Sequence, residues 1–266
     1  MNFEAQSGAD AALENELRRV EVKYVIDRAR RTPLLRDLKV FMCPDTHAGT
    51  DGSYLVRSLY FDSPFYAAYH EKMAGCAVRH KLRTRVYGDE PAQAPFVRLE
   101  VKSRYMQFIH KLSADVSHEE YRELEQALRN RTLPSTRLVN RNRASREFFR
   151  LQRQYNMEPK LLIQYRRLAF ERTEFSRARV NFDDEIWILR GSDLFGSLRG
   201  ARRLLPYAHA VLEIKVDGLL PYWLHFLIAK YELQDQAISK FCFAVQNDAK
   251  SSAVARVEDE LALGGD

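Results

Sequence analysis

The feature that most constrains this chain is a short alternating segment, Val211–Val216, whose pattern recurs along the sequence. Its leucine, isoleucine and second valine fall on one face of a strand, whereas Glu213 and Lys215 fall on the other. A single strand of this kind indicates only a solvated sheet face, because antiparallel strands commonly have one wet side. The repetition of the pattern predicts a whole sheet with one charged face.

The alternation predicts eight strands separated by helices and turn-rich loops. The predicted strands are 19–26, 54–61, 78–87, 96–104, 106–113, 160–170, 177–183 with an extension toward 189, and 208–216. Predicted helices cover 33–41, 65–73, 144–155 and 221–231. Thr32 is the expected cap of the first helix, with Pro33 as its first residue. Ser117 and Glu120 form a capping-box pattern before a further helix.

At least five of the predicted strands place Lys, Arg or Glu in register on one face, which leaves two architectures open. The charged face of an open sheet would lie in water, whereas a closed barrel of about eight strands would enclose the charges around one small ligand. Buried bases require compensation, because desolvating each ion costs several kcal/mol. A closed barrel would therefore hold a polyanion, and its glutamates would suit Mg²⁺ or Mn²⁺.

Composition favours one domain and an anionic partner. The chain has 266 residues, of which 45% are hydrophobic, and carries 42 Lys and Arg against 36 Asp and Glu. Cys43, Cys76 and Cys242 match neither a metal knuckle nor a disulfide framework, which indicates a reducing compartment. The polar start is no signal peptide, and the longest apolar run is too short to span a bilayer. We expect a cytoplasmic protein with a flexible lead (1–16), one domain (17–248) and a flexible tail (249–266).

Several motifs, in order along the chain, are similar to those of the VTC-type polyphosphate polymerase domain of the triphosphate tunnel metalloenzyme superfamily. They are EVKY (21–24), SLYFDSP (58–64), YHEKMAG (69–75), KLRTRVYG (81–88), LEVKSR (99–104), HKLS (110–113), QYRRLAF (164–170), ARVNFDDEI (178–186), VLEIKVDGLLPYWL (211–224) and SKFCFAV (239–245). The resemblance implies an α+β fold in which an eight-stranded antiparallel closed β-barrel forms a triphosphate tunnel packed by helices. It also implies a phosphotransferase that moves the ATP γ-phosphate to a growing polyphosphate chain with Mn²⁺ or Mg²⁺.

The resemblance also implies a role for individual residues. The expected catalytic bases are Arg83, Arg85, Lys102, Arg167 and Arg179; the expected phosphate-binding residues are Lys23, Lys111, Ser239 and Lys240; the expected metal ligands are Glu213 and Glu100. In the QYRRLAF motif the family arginine falls on Arg167 rather than Arg166.

Two other functions stay open. The first is a tunnel-type hydrolase of triphosphate or nucleoside triphosphates; such enzymes show ExExK near the start, where this chain has Arg19 in place of the first glutamate. The second is a non-catalytic polyphosphate-binding module. The basic helix with Arg143, Arg146, Arg150 and Arg153 is more typical of a solvated face than of nucleic-acid binding, so we expect ATP and polyphosphate as partners and no nucleic acid. Any coupling to a membrane would need a membrane-protein partner.

Overall fold

The computed structural model describes residues 19–46, 49, 52–172, 177–191, 193–236 and 238–248. The predicted lead and tail lie outside the described residues, so both remain predictions. The fold is α+β, with helices packed on a curled antiparallel sheet.

Within the described ranges, eight strands follow one hydrogen-bonded path, in the order β1–β10–β8–β7–β3–β4–β5–β6. They are β1 (Arg19–Asp27), β3 (Ser53–Asp62), β4 (Val78–Tyr87), β5 (Val97–Tyr105), β6 (Phe108–Val116), β7 (Glu158–Arg172), β8 (Ala178–Arg190) and β10 (His209–Asp217). Two short strands join from the side, β2 (Cys43–Pro44) against β7 and β9 (Arg202–Arg203) against β8. All eight predicted strands are confirmed, and the central strands β7 and β8 run further than their alternation indicated.

In the part of the chain that the structure describes, six α-helices with defined ends accompany the sheet, and residues 240–248 are helical as well. They are α1 (Arg28–Leu38), α2 (Ala67–Met73), α3 (His118–Asn130), α4 (Thr136–Val139), α5 (Arg143–Gln154) and α6 (Tyr222–Lys230); the helical residues 240–248 are called α7. The predicted capping box is confirmed, because Ser117 and Glu120 exchange side-chain and backbone hydrogen bonds at the start of α3.

The predicted start of the first helix is wrong. The cap is Asp27, whose side chain accepts a hydrogen bond from the backbone N–H of Arg30. The helix therefore begins at Arg28, directly after β1, and Pro33 lies inside it. Aspartate caps a helix at least as well as threonine, and Asp27 lies five residues before Thr32, so it starts the helix first.

Helices cover the outer face of the sheet in two apolar clusters. One joins β3, β4 and β5 to α3 and α5, with Phe61, Tyr121 and Phe148 almost fully buried. The other joins β1, β8 and β10 to α1 and α6 through residues such as Leu38 and Leu224. Helix α7 packs instead on the opposite face, against β3 and β7. No helix in the described ranges is long and apolar enough to cross a membrane.

The predicted closed barrel is wrong, because the strand path ends at β1 on one side and β6 on the other. The free edge of β1 is already occupied by the segment before α7. The Lys23 backbone donates to Asp235 Oδ1 at 3.2 Å and accepts from the Gln236 N–H at 2.8 Å. The sheet is therefore a half-barrel. It still curls enough that Glu21 on β1 lies 3.6 Å from Lys102 on β5.

Candidate functional site

The strand register places the charged residues of seven strands on the same, inner face of the half-barrel. Residues directly opposite each other in a sheet share a face. Lys23 faces Glu213 between β1 and β10, and Arg167 faces Asp183 between β7 and β8. Across β4, β5 and β6, further pairs are Arg83 with Glu100 and Lys102 with Lys111. The sheet alternation therefore brings the predicted residues together from distant parts of the chain.

Glu100 is the centre of the first charge cluster on this face. Its carboxylate is 2% exposed and lies 2.5 Å from Arg83 Nε, 2.6 Å from Lys111 Nζ and 3.6 Å from Arg85 Nε. Burial alone would raise the pKa of Glu100, but these three cations outweigh burial and hold it far below its ordinary value. Arg85 is fixed further by a 2.8 Å hydrogen bond to Ser58 Oγ. Glu100 thus stays ionised and keeps two guanidinium groups side by side.

Glu213 is the centre of the second cluster. Its carboxylate lies 3.2 Å from Lys215 Nζ and 3.5 Å from both Lys23 Nζ and Arg167 Nη2. Burial opposes ionisation, yet Lys215, Lys240 and Arg167 hold the pKa of Glu213 well below its ordinary value. Lys215 is itself so buried that its pKa is lowered despite this neighbour. Glu213 is therefore a carboxylate shared among several cations.

Asp183 connects the second cluster to α7 and is completely buried. Arg167 binds it through two hydrogen bonds of 2.6 and 2.8 Å, and Lys240 Nζ lies 2.5 Å away. Burial would raise the pKa of Asp183, but Arg167 and Lys240 lower it below 3.8. The aspartate therefore fixes one base from β7 and one from α7 on the inner face.

Two tyrosines line the face between the clusters. Tyr60 accepts a hydrogen bond of 2.9 Å from Arg83 and stacks on Phe241 of α7. Burial would raise the pKa of Tyr60, but the charges of Arg83 and Arg85 outweigh it and lower the pKa to about 8. Tyr165 lies 5.3 Å from the guanidinium of Arg167, and burial raises its pKa.

The remaining predicted residues lie at the margins of this face. Lys102 and Lys111 are about half exposed. Ser239 accepts a hydrogen bond of 3.1 Å from Lys81, whose pKa is lowered by burial. Arg179 shares the inner face through its register with Lys215, and its side chain pairs with the buried Asp45. The structure thus brings all the predicted site residues onto one continuous surface.

Several residues of this surface were not predicted to be part of the site. They are Glu21, Asp45, Tyr60, Lys81, Tyr165, Asn181, Asp183 and Lys215. With them, the residues named here on the described part of the inner face include ten bases and five carboxylates. Because buried charge requires compensation, this excess of bases suits a ligand with several negative charges.

The side chains around Glu213 also fit a divalent cation. Asn181 Oδ1 is buried without a hydrogen-bond partner, and its amide nitrogen lies 3.5 Å from Glu213 Oε2. Carboxylate and amide oxygens are hard donors of the kind Mg²⁺ and Mn²⁺ take. Within the described ranges no three acidic, histidine or cysteine side chains form a metal cluster. Such a cation would therefore need ligand oxygens to complete its shell, as Mg²⁺ commonly does with phosphates.

The fold and the site define an α+β protein with a curled antiparallel sheet and a basic inner face that carries carboxylates. The profile of the VTC domain matches residues 18–247. The chain therefore belongs to the VTC domain family.

No curated protein matches this chain. Solved structures resemble it only distantly. A candidate adenylate cyclase from Bacillus halodurans has a TM-score of 0.47 and 12% identity, covering 83% of this chain and 93% of its own. The PH1819 protein from Pyrococcus horikoshii OT3 has a TM-score of 0.45 and 8% identity, covering 86% of this chain and 99% of its own. A candidate adenylyl cyclase from Hippeastrum, HpAC1, which is said to reveal a dominant triphosphatase activity, has a TM-score of 0.47 and 13% identity, covering 86% of this chain and 96% of its own. At these TM-scores the similarities establish nothing about activity.

Proposed function

We propose that this chain is a metal-dependent polyphosphate polymerase that transfers the ATP γ-phosphoryl group to a growing polyphosphate chain. The observation that carries the proposal is the convergence of buried bases on the inner face of a VTC domain. Phosphoryl transfer depends mainly on positioning and on charge stabilisation, which fixed guanidinium and ammonium groups supply. The half-barrel offers both in one place.

In this proposal the bases divide into two groups. Arg83, Arg85, Lys102, Arg167 and Arg179 stabilise the charge that develops on the transferred group, and Lys23, Lys111, Ser239 and Lys240 hold phosphates before and after it. Glu100 and Asp183 keep their guanidinium partners in place. A guanidinium remains charged at any physiological pH, so the site does not lose this stabilisation as pH rises.

The reaction balances without a general base. An oxygen of the terminal phosphate on the growing chain bonds to the γ-phosphorus of ATP, and the bond from that phosphorus to the β–γ bridging oxygen breaks. ADP leaves with the bond electrons, and the chain is one phosphate longer. The attacking phosphate is already anionic at neutral pH, so no side chain needs to remove a proton.

A divalent cation is part of the proposal. Glu213 with the Asn181 amide oxygen would hold Mg²⁺ or Mn²⁺. The expected contribution of Glu100 is weaker because Arg83 and Lys111 lie within 2.6 Å of its carboxylate, whereas the cation nearest to Glu213 is 3.2 Å away. When bound, such a cation neutralises charge on the phosphate oxygens.

A tunnel-type triphosphatase is the second candidate, and Tyr60 favours it. Hydrolysis uses water as the nucleophile, and water attacks faster when a nearby base accepts its proton. A tyrosine with a pKa of about 8 on the inner face is such a base, because part of it is ionised near neutral pH.

The test is the fate of the γ-phosphate. Purified protein is incubated with ATP and Mn²⁺ or Mg²⁺, and the products are run on a gel stained for polyphosphate beside an assay for free phosphate. A ladder of chains with ADP and little free phosphate supports the polymerase. Free phosphate without a ladder supports the hydrolase and overturns the polymerase. Binding of polyphosphate with neither product would instead indicate a non-catalytic module.

A further inference from the structure

The outer side of the sheet carries a recessed cleft that is separate from the inner face. It has a volume of about 460 Å³, within the range of small-ligand pockets, roughly 300–1,000 Å³. Helix α5 forms one wall, and β5 and β6 form the floor. Ser103 and His110, opposite each other in register, both line the floor. Their neighbours Lys102 and Lys111 point to the inner face, because successive residues of a strand alternate.

The helical wall presents positive charge to this cleft. Arg143, Arg146, Glu147 and Arg150 line it, at spacings of three, four and seven residues that place them on one side of α5. Glu147 pairs with Arg150 at 2.8 Å. Arg143 and Arg146 make no side-chain hydrogen bond or ion pair in the part of the chain that the structure describes. The one carboxylate of the cleft is thus already paired, and two guanidinium groups are available.

The floor adds neutral polar and aromatic groups. Tyr105 is 43% exposed in the cleft, and its ring lies 5.6 Å from that of buried His80. His80, opposite Ser103 on the neighbouring strand β4, also makes a 2.8 Å hydrogen bond with Ser103 Oγ, which fixes the floor from the side. The cleft therefore has a concave shape, a supported floor and a surplus of bases, which together distinguish it from an ordinary solvated helix face.

We propose that this cleft is a second binding site, for a small molecule that bears two or more phosphate groups. Guanidinium groups bind phosphate oxygens in pairs of parallel hydrogen bonds. Arg143 and Arg146 are three residues apart, about 4.5 Å along the helix axis, so each can take a different phosphate of one ligand. A nucleoside diphosphate and a condensed inorganic phosphate share this chemistry, and Tyr105 offers a stacking surface only to the former.

Calorimetric titration of the full chain tests the proposal, with inorganic triphosphate and ADP as probes. The double variant Arg143→Ala/Arg146→Ala removes the two available bases. The double variant Arg122→Ala/Arg129→Ala on α3 removes the same charge outside the cleft. Arg85→Ala should weaken phosphate binding at the inner face, so that the remaining binding event can be assigned to the cleft.

For at least one probe, we expect the wild-type chain and the α3 variant to show two binding events, one at the inner face and one at the cleft. The cleft variant should lose the second event or show it with at least tenfold weaker affinity. Loss for ADP as well as triphosphate would assign nucleotides to the site, and loss for triphosphate alone would assign condensed phosphate. If the cleft variant titrates like the wild type with both probes, or if the α3 variant loses as much, the cleft is no specific site and the proposal is overturned. Because Arg85→Ala should retain the cleft event, failure of the inner-face function would leave this result unchanged.

Discussion

Asp183→Asn removes the charge of the most deeply buried carboxylate on the inner face while keeping its shape. Asp183 is 0% exposed and compensates both Arg167 and Lys240. Removing one partner of a buried ion pair leaves the other charge uncompensated, which costs about 3–5 kcal/mol. For a domain of this size each kcal/mol lowers the melting temperature by about 2–4 °C, so we expect a fall of roughly 6–20 °C.

The chain contains a matched control for this substitution. Arg98 binds Asp115 through two hydrogen bonds of 2.6 and 2.9 Å, nearly the geometry of Arg167 with Asp183, but Asp115 is 42% exposed. An exposed pair contributes only about 0.2–1 kcal/mol. We therefore expect Asp115→Asn to have little effect. The comparison keeps the residue types and the arginine hydrogen bonds the same, and the two aspartates differ in burial and in the second partner, Lys240, of Asp183.

Urea unfolding followed by circular dichroism measures both variants across pH. The pKa of Asp183 is lowered on folding, so its contribution is complete above the ordinary value of 3.8 and is lost as pH falls through the lower folded value. The stability gap between wild type and Asp183→Asn should be constant near neutral pH and shrink in acid. If Asp183→Asn lowers the free energy of unfolding by less than about 1 kcal/mol, or by no more than Asp115→Asn does, this account of the inner face is refuted.

Three further outcomes are expected. Ultraviolet difference absorbance should show a tyrosine titrating near pH 8 that Tyr60→Phe removes, and an unchanged titration in this variant would contradict the account. Because the pKa of Tyr60 in the folded protein lies below the ordinary value of 10, this group should also increase the free energy of unfolding as pH rises from 8 to 10. Glu213→Gln should weaken Mn²⁺ binding, measured by electron paramagnetic resonance with bound triphosphate, at least tenfold, whereas the exposed Glu158→Gln should not. Ser117→Ala should lower the free energy of unfolding by about 1 kcal/mol through loss of the α3 cap, and equal melting curves would argue against it.

Alternation predicted the strands and the common face of the charges, because a period of two assigns each residue of a strand to a side. It could not decide whether the outer edges of the sheet pair. That depended on Asp235 and Gln236, which lie far from β1 in sequence and occupy its edge. Within the predicted strand 177–183, alternation puts Asp183 on the same face as Arg179, but only the register shows that the partner of Asp183 is Arg167. Which charge compensates which is set by contacts between distant strands.

The neighbouring arginines of β7 offer the most direct test of the central claim, that bases of the inner face carry phosphoryl transfer. Arg167 is 8% exposed and lies on the inner face, whereas Arg166 is more exposed and pairs with Asp89 at 3.1 Å. The measurement is transfer of label from γ-labelled ATP into polyphosphate by the wild type, Arg167→Ala and Arg166→Ala, each confirmed as folded. We expect the wild type to transfer the label. Arg167→Ala should transfer it about a hundredfold or more slowly, because it removes one group that stabilises charge in the transition state. Arg166→Ala should transfer it at a near-normal rate. Equal transfer by folded Arg167→Ala and Arg166→Ala, or none by the wild type with either metal, would contradict the account.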